Sequence, residues 1–308
     1  MSTPVSSPGK GSHIGRTLTI CLHTFTQLVR MKVFYFLAIF AVILIASNFF
    51  DLPQHNGPES NGSEVLGLIK SWSLGAMTLF SVVLSVVATA LLLPKDVEDR
   101  TLYTILAKPV PRINYLAGKL LGVLLLVFVS LALMDLLMTG LLQVRTSMVL
   151  SEQLAAARHL GWNEAAIKSL ESEILESGPN WSLQGAVLAV FVRSAVMASL
   201  ALLISTFSSS TIFTTVVSFL MYFIGHFQAD AREFYMHGGE AGTTTVAKLV
   251  SLLVSMVFPD FQLFNVIDAV IEGQAIPAIA MVKLLAVGVY YALFFTIASW
   301  FVFADKEF

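Results

Sequence analysis

Residues 183–227 read LQGAVLAVFVRSAVMASLALLISTFSSSTIFTTVVSFLMYFIGHF. Two apolar runs, 183–207 and 211–227, are parted only by Ser208-Ser209-Ser210, and Arg193 is the sole charged residue in either. The hydrocarbon core of a bilayer is about 30 Å thick, and roughly 20 apolar residues of helix cross it at about 1.5 Å each. Both runs have that character, and so short a polar turn between them leaves an antiparallel hairpin as the only arrangement. In lipid the backbone must satisfy its own hydrogen bonds, so the hairpin commits the chain to helices.

The rest of the chain follows the same pattern. Of 308 residues, 56% are hydrophobic and 12% charged, with a mean hydropathy of +0.80; a soluble domain carries roughly 25% charge. Four further segments qualify as spans, 33–50, 72–93, 116–142 and 276–303, giving six. The sequence therefore predicts an all-α polytopic membrane protein, with a disordered tail over 1–12 and a single membrane domain over 13–308. The tail is not a signal peptide, because the first apolar run starts only near Val33 and lacks a small-residue cleavage site. Residues 249–258 are apolar but too few to cross before Pro259-Asp260. Together with 261–271 they read as re-entrant or interfacial helices on the outer face, with a seventh span as the alternative.

Lys and Arg near the span ends set the orientation. Lys10, Arg16, Arg30 and Lys32 precede the first span, and Lys95, Arg100, Lys108, Arg112 and Lys119 crowd the loop between the second and third. Most acids, among them Asp51, Glu59, Glu64, Glu152, Glu164, Glu171, Glu173 and Glu176, fall in the opposite loops. Both termini are then cytoplasmic, Lys306 included. The outer insertion 143–182 has helical composition broken by Gly161 and ended by Gly178-Pro179, which predicts two short amphipathic helices. Cys21 is the only cysteine, so it forms no internal disulfide and reads as a reduced thiol.

The loop 94–119, PKDVEDRTLYTILAKPVPRINYLAGK, carries the most information about function. Asp96 is placed to cap a helix starting at Val97, and Leu102, Ile105 and Leu106 give that helix one apolar face. Lys108-Pro109-Val110-Pro111 must end it, since each proline removes a donor and restricts the residue before it. A short amphipathic helix with a rigid end suits a partner's groove; a helix lying on lipid is the alternative.

Glu98, Thr101, Leu102, Leu106, Lys108, Pro109, Val110 and Arg112, followed by Gly118-Lys119, make this segment resemble the signature of ABC-2 type permeases. The wording is closest to the branch associated with copper-enzyme maturation systems. Arg100 stands where that family often has Gly. The resemblance extends to 14–36, similar to the family's amphipathic elbow helix, to 259–264, and to the aromatic-then-charged ending 300–308. It implies six helices per subunit, a homodimer or a heterodimer with a second permease, and cytoplasmic ABC ATPase subunits that hold ATP and Mg. It also implies an ATPase-coupling helix bearing Glu98, Arg100, Leu102, Ile105, Leu106, Lys108 and Arg112, a location in the cell inner (plasma) membrane, and export rather than import. Membrane lipid is the remaining expected partner, and nucleic acid is not one.

The chain contains no G-x-x-x-x-G-K-[ST], H-E-x-x-H or G-x-S-x-G, so neither ATP binding of the usual kind nor the common hydrolase chemistries are expected, and this chain needs no cofactor. His13, His23, His55, His159, His226 and His237 show no metal spacing. Asp135, Arg193 and Lys283 lie within spans, where charge is expensive and has a partner or a task. Asp135 and Arg193 on connected antiparallel spans are expected to pair, either to fix packing or to meet substrate. Lys283 is near enough to a span end to snorkel. Gly118-x-x-x-Gly122 permits close helix approach, though such spacing also arises by chance.

Three functions compete. An ATP-driven permease leads. A membrane scaffold or sensor would dock a cytoplasmic partner through the same loop and transport nothing. An ion-coupled carrier would need charges beside a broken helix at mid-membrane, for which only Asp135 and Arg193 are candidates.

Overall fold

The computed structural model describes residues 13–30, 35, 39–40, 42–43, 63–98, 111–208, 210–237, 258–271, 273–274 and 276–304. Its elements are α1 (His13–Arg30), α2 (Ser63–Glu98), α3 (Arg112–His159), α4 (Glu164–Ser177), α5 (Trp181–Phe207), α6 (Thr211–His237), a 3-10 turn (Phe261–Phe264), α7 (Ile267–Ile271) and α8 (Ala278–Ala304). No strand occurs among the described residues. Five helical stretches are long and apolar enough to cross a membrane, in α2, α3, α4–α5, α6 and α8. The chain is a multi-pass, all-helical membrane protein. Most of the expected first span, 33–50, lies outside the described residues. Of its described part, Phe40 is helical and buried, edge-on to Phe80 at 6.5 Å.

Local chemistry explains the boundaries. The Asn180 side chain accepts from Leu183 N at 3.0 Å and so starts α5, and Asn163 starts α4 in the same way through Ala166 N at 2.7 Å. Helix α5 ends at Phe207 and α6 starts at Thr211, so the boundary falls where the serines predict it. Gly161, at φ +72°, supplies the left-handed residue that reverses the chain between α3 and α4. The insertion 143–182 differs in one respect from the two-helix expectation. Its first helix is no separate element, because α3 continues without interruption from Arg112 to His159. Nothing between residues 142 and 159 breaks a helix, and the added turns bury Thr146, Val149 and Ala157.

Helix α5 is the hub. Apolar on every side, it packs against α2, α3, α6, α8, the 3-10 turn and α7. Helices α6 and α8 bury much less of themselves and present Phe213, Leu220, Phe227, Val282, Leu293 and Phe301 outward, as lipid-facing helices must. Helix α1 lies along α3, and Gly118 and Gly122 make that contact possible. A Cβ on Gly118 would stand 2.8 Å from Ile20 Cβ, and one on Gly122 would stand 2.6 Å from Thr24 Cβ and 2.9 Å from the Cys21 carbonyl oxygen. The spacing that could have been chance is a helix–helix seam.

The segment 258–271 does not cross, its helical part Phe261–Ile271 being too short. It packs inward, with Phe261, Phe264 and Val270 buried. The 3-10 turn touches α5 at Arg193, twelve residues beyond the first residue of α5 and so about 18 Å along it. Gly225 on α6 makes room: a Cβ there would lie 2.6 Å from the Pro259 carbonyl oxygen and 2.5 Å from the Phe261 ring. Residues 249–257 are outside the described residues.

Candidate functional site

Helix α2 ends and α3 begins on either side of the loop singled out by the sequence. Of the candidate coupling residues, Arg100, Leu102, Ile105, Leu106 and Lys108 lie outside the described residues, and Glu98 is described only as the last residue of α2. Arg112 is fully described, and so are the residues that brace the two ends of the loop.

Asp96 does not cap a new helix at Val97. Helix α2 runs unbroken through Pro94 and Asp96 to Glu98. The Asp96 carboxylate turns inward instead, 2.7 Å from Lys119 Nζ, and it also accepts a hydrogen bond from the Tyr115 hydroxyl. All three side chains are buried. A carboxylate so placed finds a stronger partner in an ammonium ion than in the backbone donors of the next turn. The ammonium also stands 5.8 Å above the Tyr115 ring, within cation–π range.

The clamp extends to the last helix. The Tyr115 ring stacks on Phe303 at 6.0 Å, and Arg112 Nη1 donates to the Phe303 and Ala304 carbonyl oxygens at 2.9 and 2.5 Å. Those carbonyls end α8 and have no intrahelical donor, and a guanidinium there also meets the negative end of the helix dipole. One buried node thus ties the end of α2, the start of α3 and the end of α8. Whatever pulls on the intervening loop pulls on three helices.

Sequence reasoning selected Arg112 in this node, named Lys119 as an orienting cation and through the resemblance, and gave Asp96 the wrong task. To Tyr115 and Phe303 it gave no task of their own. An acid and a lysine bracketing one loop were the available signal.

The expected pair of Asp135 with Arg193 does not form. Asp135 Oδ1 accepts from Gln184 Nε2 at 3.2 Å and from Thr139 Oγ1 at 3.4 Å. Arg193 is buried elsewhere, its Nη2 donating to the Phe261 carbonyl oxygen at 3.2 Å. The reason is depth. Asp135 is level with Gln184, and Arg193 lies nine residues further along α5, or about 13 Å. Lys283 is exposed near the start of α8, as snorkelling requires.

Around Arg193 the structure gathers polar groups that sequence separation concealed. Tyr222 and His226 from α6 pack against the Phe261 ring of the 3-10 turn, the first tilted and the second stacked, with centroids 5.2 and 6.1 Å apart. Gln262 Nε2 donates to the His226 carbonyl oxygen at 2.9 Å. Asp260, buried, caps the turn by accepting from Gln262 N at 3.0 Å. No group of three or more potential metal ligands occurs among the described residues.

No protein-family model matches this chain, and no curated protein matches it. What the fold defines is therefore a class, the multi-pass helical membrane protein.

Proposed function

We propose that this chain is the membrane-spanning permease subunit of an ATP-binding-cassette transporter of the ABC-2 type, working as an exporter in the cell inner membrane. A separate cytoplasmic ATPase supplies the energy, with ATP and Mg bound there, and the permease acts as a dimer with both termini cytoplasmic. On this reading the sixth span is the run 33–50, most of which lies outside the described residues. The reading is carried by one observation. The loop whose residues resemble a coupling segment is anchored at both ends by a buried node, Asp96–Lys119–Tyr115 with Arg112–Phe303, that reaches α2, α3 and α8. A lipid-lying loop gains nothing from such anchoring, whereas a loop that transmits force requires it.

Leu102, Ile105 and Leu106 then sit in a groove of the ATPase, and Arg100 and Arg112 flank them. Replacing Leu102 and Leu106 by Asp buries unpaired charge at that interface, at a cost of several kcal/mol. The test is retention of the ATPase on the detergent-purified permease. The double variant is expected to fold, insert and lose its ATPase; equal retention in variant and wild type removes the main support for this function.

A second reading, the ion-coupled carrier, gains one observation. His226 and Asp260 join Arg193 where a 3-10 turn interrupts the helical packing, the kind of arrangement such carriers use. Stimulated ATP hydrolysis by a co-purifying partner decides between the two.

A further inference from the structure

Among the described residues three cationic side chains are at least nine-tenths buried: Lys70, Lys119 and Arg193. Lys119 is neutralised by Asp96. The other two have no described acid within the 4.0 Å of a salt bridge. Lys70, 1% exposed, makes no hydrogen bond with any described group. Arg193, 4% exposed, gives Nη2 to the Phe261 carbonyl and meets the Tyr222 side chain, while its Nε is buried with no partner at all. A guanidinium has five donors in a planar fork, and this one engages only part of them.

Nearby groups do not complete the arrangement. The Asp260 carboxylate serves the N-terminus of the 3-10 turn and faces His226. His226 directs Nδ1 at its own helix, 3.3 Å from the Tyr222 carbonyl oxygen. Tyr291 of α8 reaches the Phe258 carbonyl oxygen. Backbone carbonyls and hydroxyls supply partial negative charge, and the buried Asp260 carboxylate belongs to the same cluster, but no described acid stands within 4.0 Å of the Arg193 guanidinium. An arginine is kept near mid-span for a reason, and its free Nε edge has the geometry that accepts a carboxylate or phosphate through two parallel hydrogen bonds.

We propose that Arg193 is the contact for an anionic group, phosphate or carboxylate, that enters the bundle beside the 3-10 turn, with Lys70 as a second cation nearer the opposite end of α2 from the clamp. As a contact for cargo this rests on the permease reading; as a binding site it does not. The unpartnered Nε of this buried guanidinium assigns the sign of the ligand, and Tyr222 and Phe261 beside it suit an amphiphile that carries that group.

The experiment is thermal unfolding of the full chain in detergent, without any ATPase. Octyl phosphate, inorganic phosphate and octanol are added separately, at equal concentrations below micelle formation. Octyl phosphate is expected to raise Tm by about 3 °C, because a ligand bound only by the folded state stabilises it. A shift with octyl phosphate alone assigns an amphiphilic anion, and one with inorganic phosphate as well assigns the anion itself. Arg193→Gln abolishes the shift. Should that variant fail to fold, Arg193→Lys, which keeps the charge and loses the fork, weakens the affinity for octyl phosphate about tenfold. An equal shift with octanol, no shift with either phosphate, or an undiminished response in Arg193→Gln or Arg193→Lys overturns the proposal. None of these outcomes affects ATPase retention, so the two readings fail separately.

Discussion

Lys119 Nζ and the Asp96 carboxylate stand 2.7 Å apart, one on α3 and the other on α2, with the whole connecting loop between them in sequence. Burial makes the pair consequential. Removing one partner strands a charge in a low-dielectric interior, which costs roughly 3–5 kcal/mol, whereas removing both leaves no charge to strand. Lys119→Met and Asp96→Leu are each expected to destabilise strongly, and the double variant to recover most of the loss. Denaturation of the four proteins in detergent measures the coupling, and additive losses would reject it.

The α1–α3 seam predicts overpacking. A methyl group on Gly122 collides with Thr24 and the Cys21 carbonyl, so Gly122→Ala must push α1 outward, at about 1–3 kcal/mol. Cys21 faces that seam and is the chain's only thiol. Maleimide labelling should be slow in the wild type and faster in Gly122→Ala.

Burial also pushes the Cys21 thiol above its ordinary value of 9.0. The folded state then holds its proton at pH values where the unfolded chain has lost it. Stability from this group is complete below about pH 9 and declines as pH rises through and beyond that value. Labelling of the native protein should rise later with pH than that of the denatured chain. Superimposable pH profiles would show that Cys21 is solvated.

Arg112 caps the last carbonyls of α8. Arg112→Ala leaves the Phe303 and Ala304 oxygens without that donor, a loss of about 1–2 kcal/mol concentrated at one helix end. Hydrogen exchange should accelerate in the last turn of α8 and remain unchanged near its start at Ala278. Uniform acceleration along α8 would indicate that Arg112 supports the whole helix rather than its end.

Asp135 and Arg193 have separate partners, so their substitutions should be independent. Asp135→Asn combined with Arg193→Gln is expected to show a coupling energy below about 0.5 kcal/mol. A larger coupling measured by the same unfolding assay would contradict the depths found for the two residues.

Composition and pattern alone determined the membrane class, the α5–α6 boundary at the three serines and the break at Gly161. These are one-dimensional properties: length and hydrophobicity decide whether a helix spans, and turn residues decide where it stops. The extension of α3 to His159 was less legible, because polar composition does not interrupt a helix that lacks a breaker. Tertiary structure alone decided which polar groups meet. Asp96 reads locally as a cap, but the approach of α3 offers it an ammonium ion. Asp135 reads as a partner for Arg193 until helix register places Gln184 at its level. Arg193, Tyr222, His226 and Asp260 come from two helices and a 3-10 turn, and no spacing in the chain brings them together. A partner across a bundle is set by depth and by rotation about the helix axis, and both are fixed only when the helices have packed.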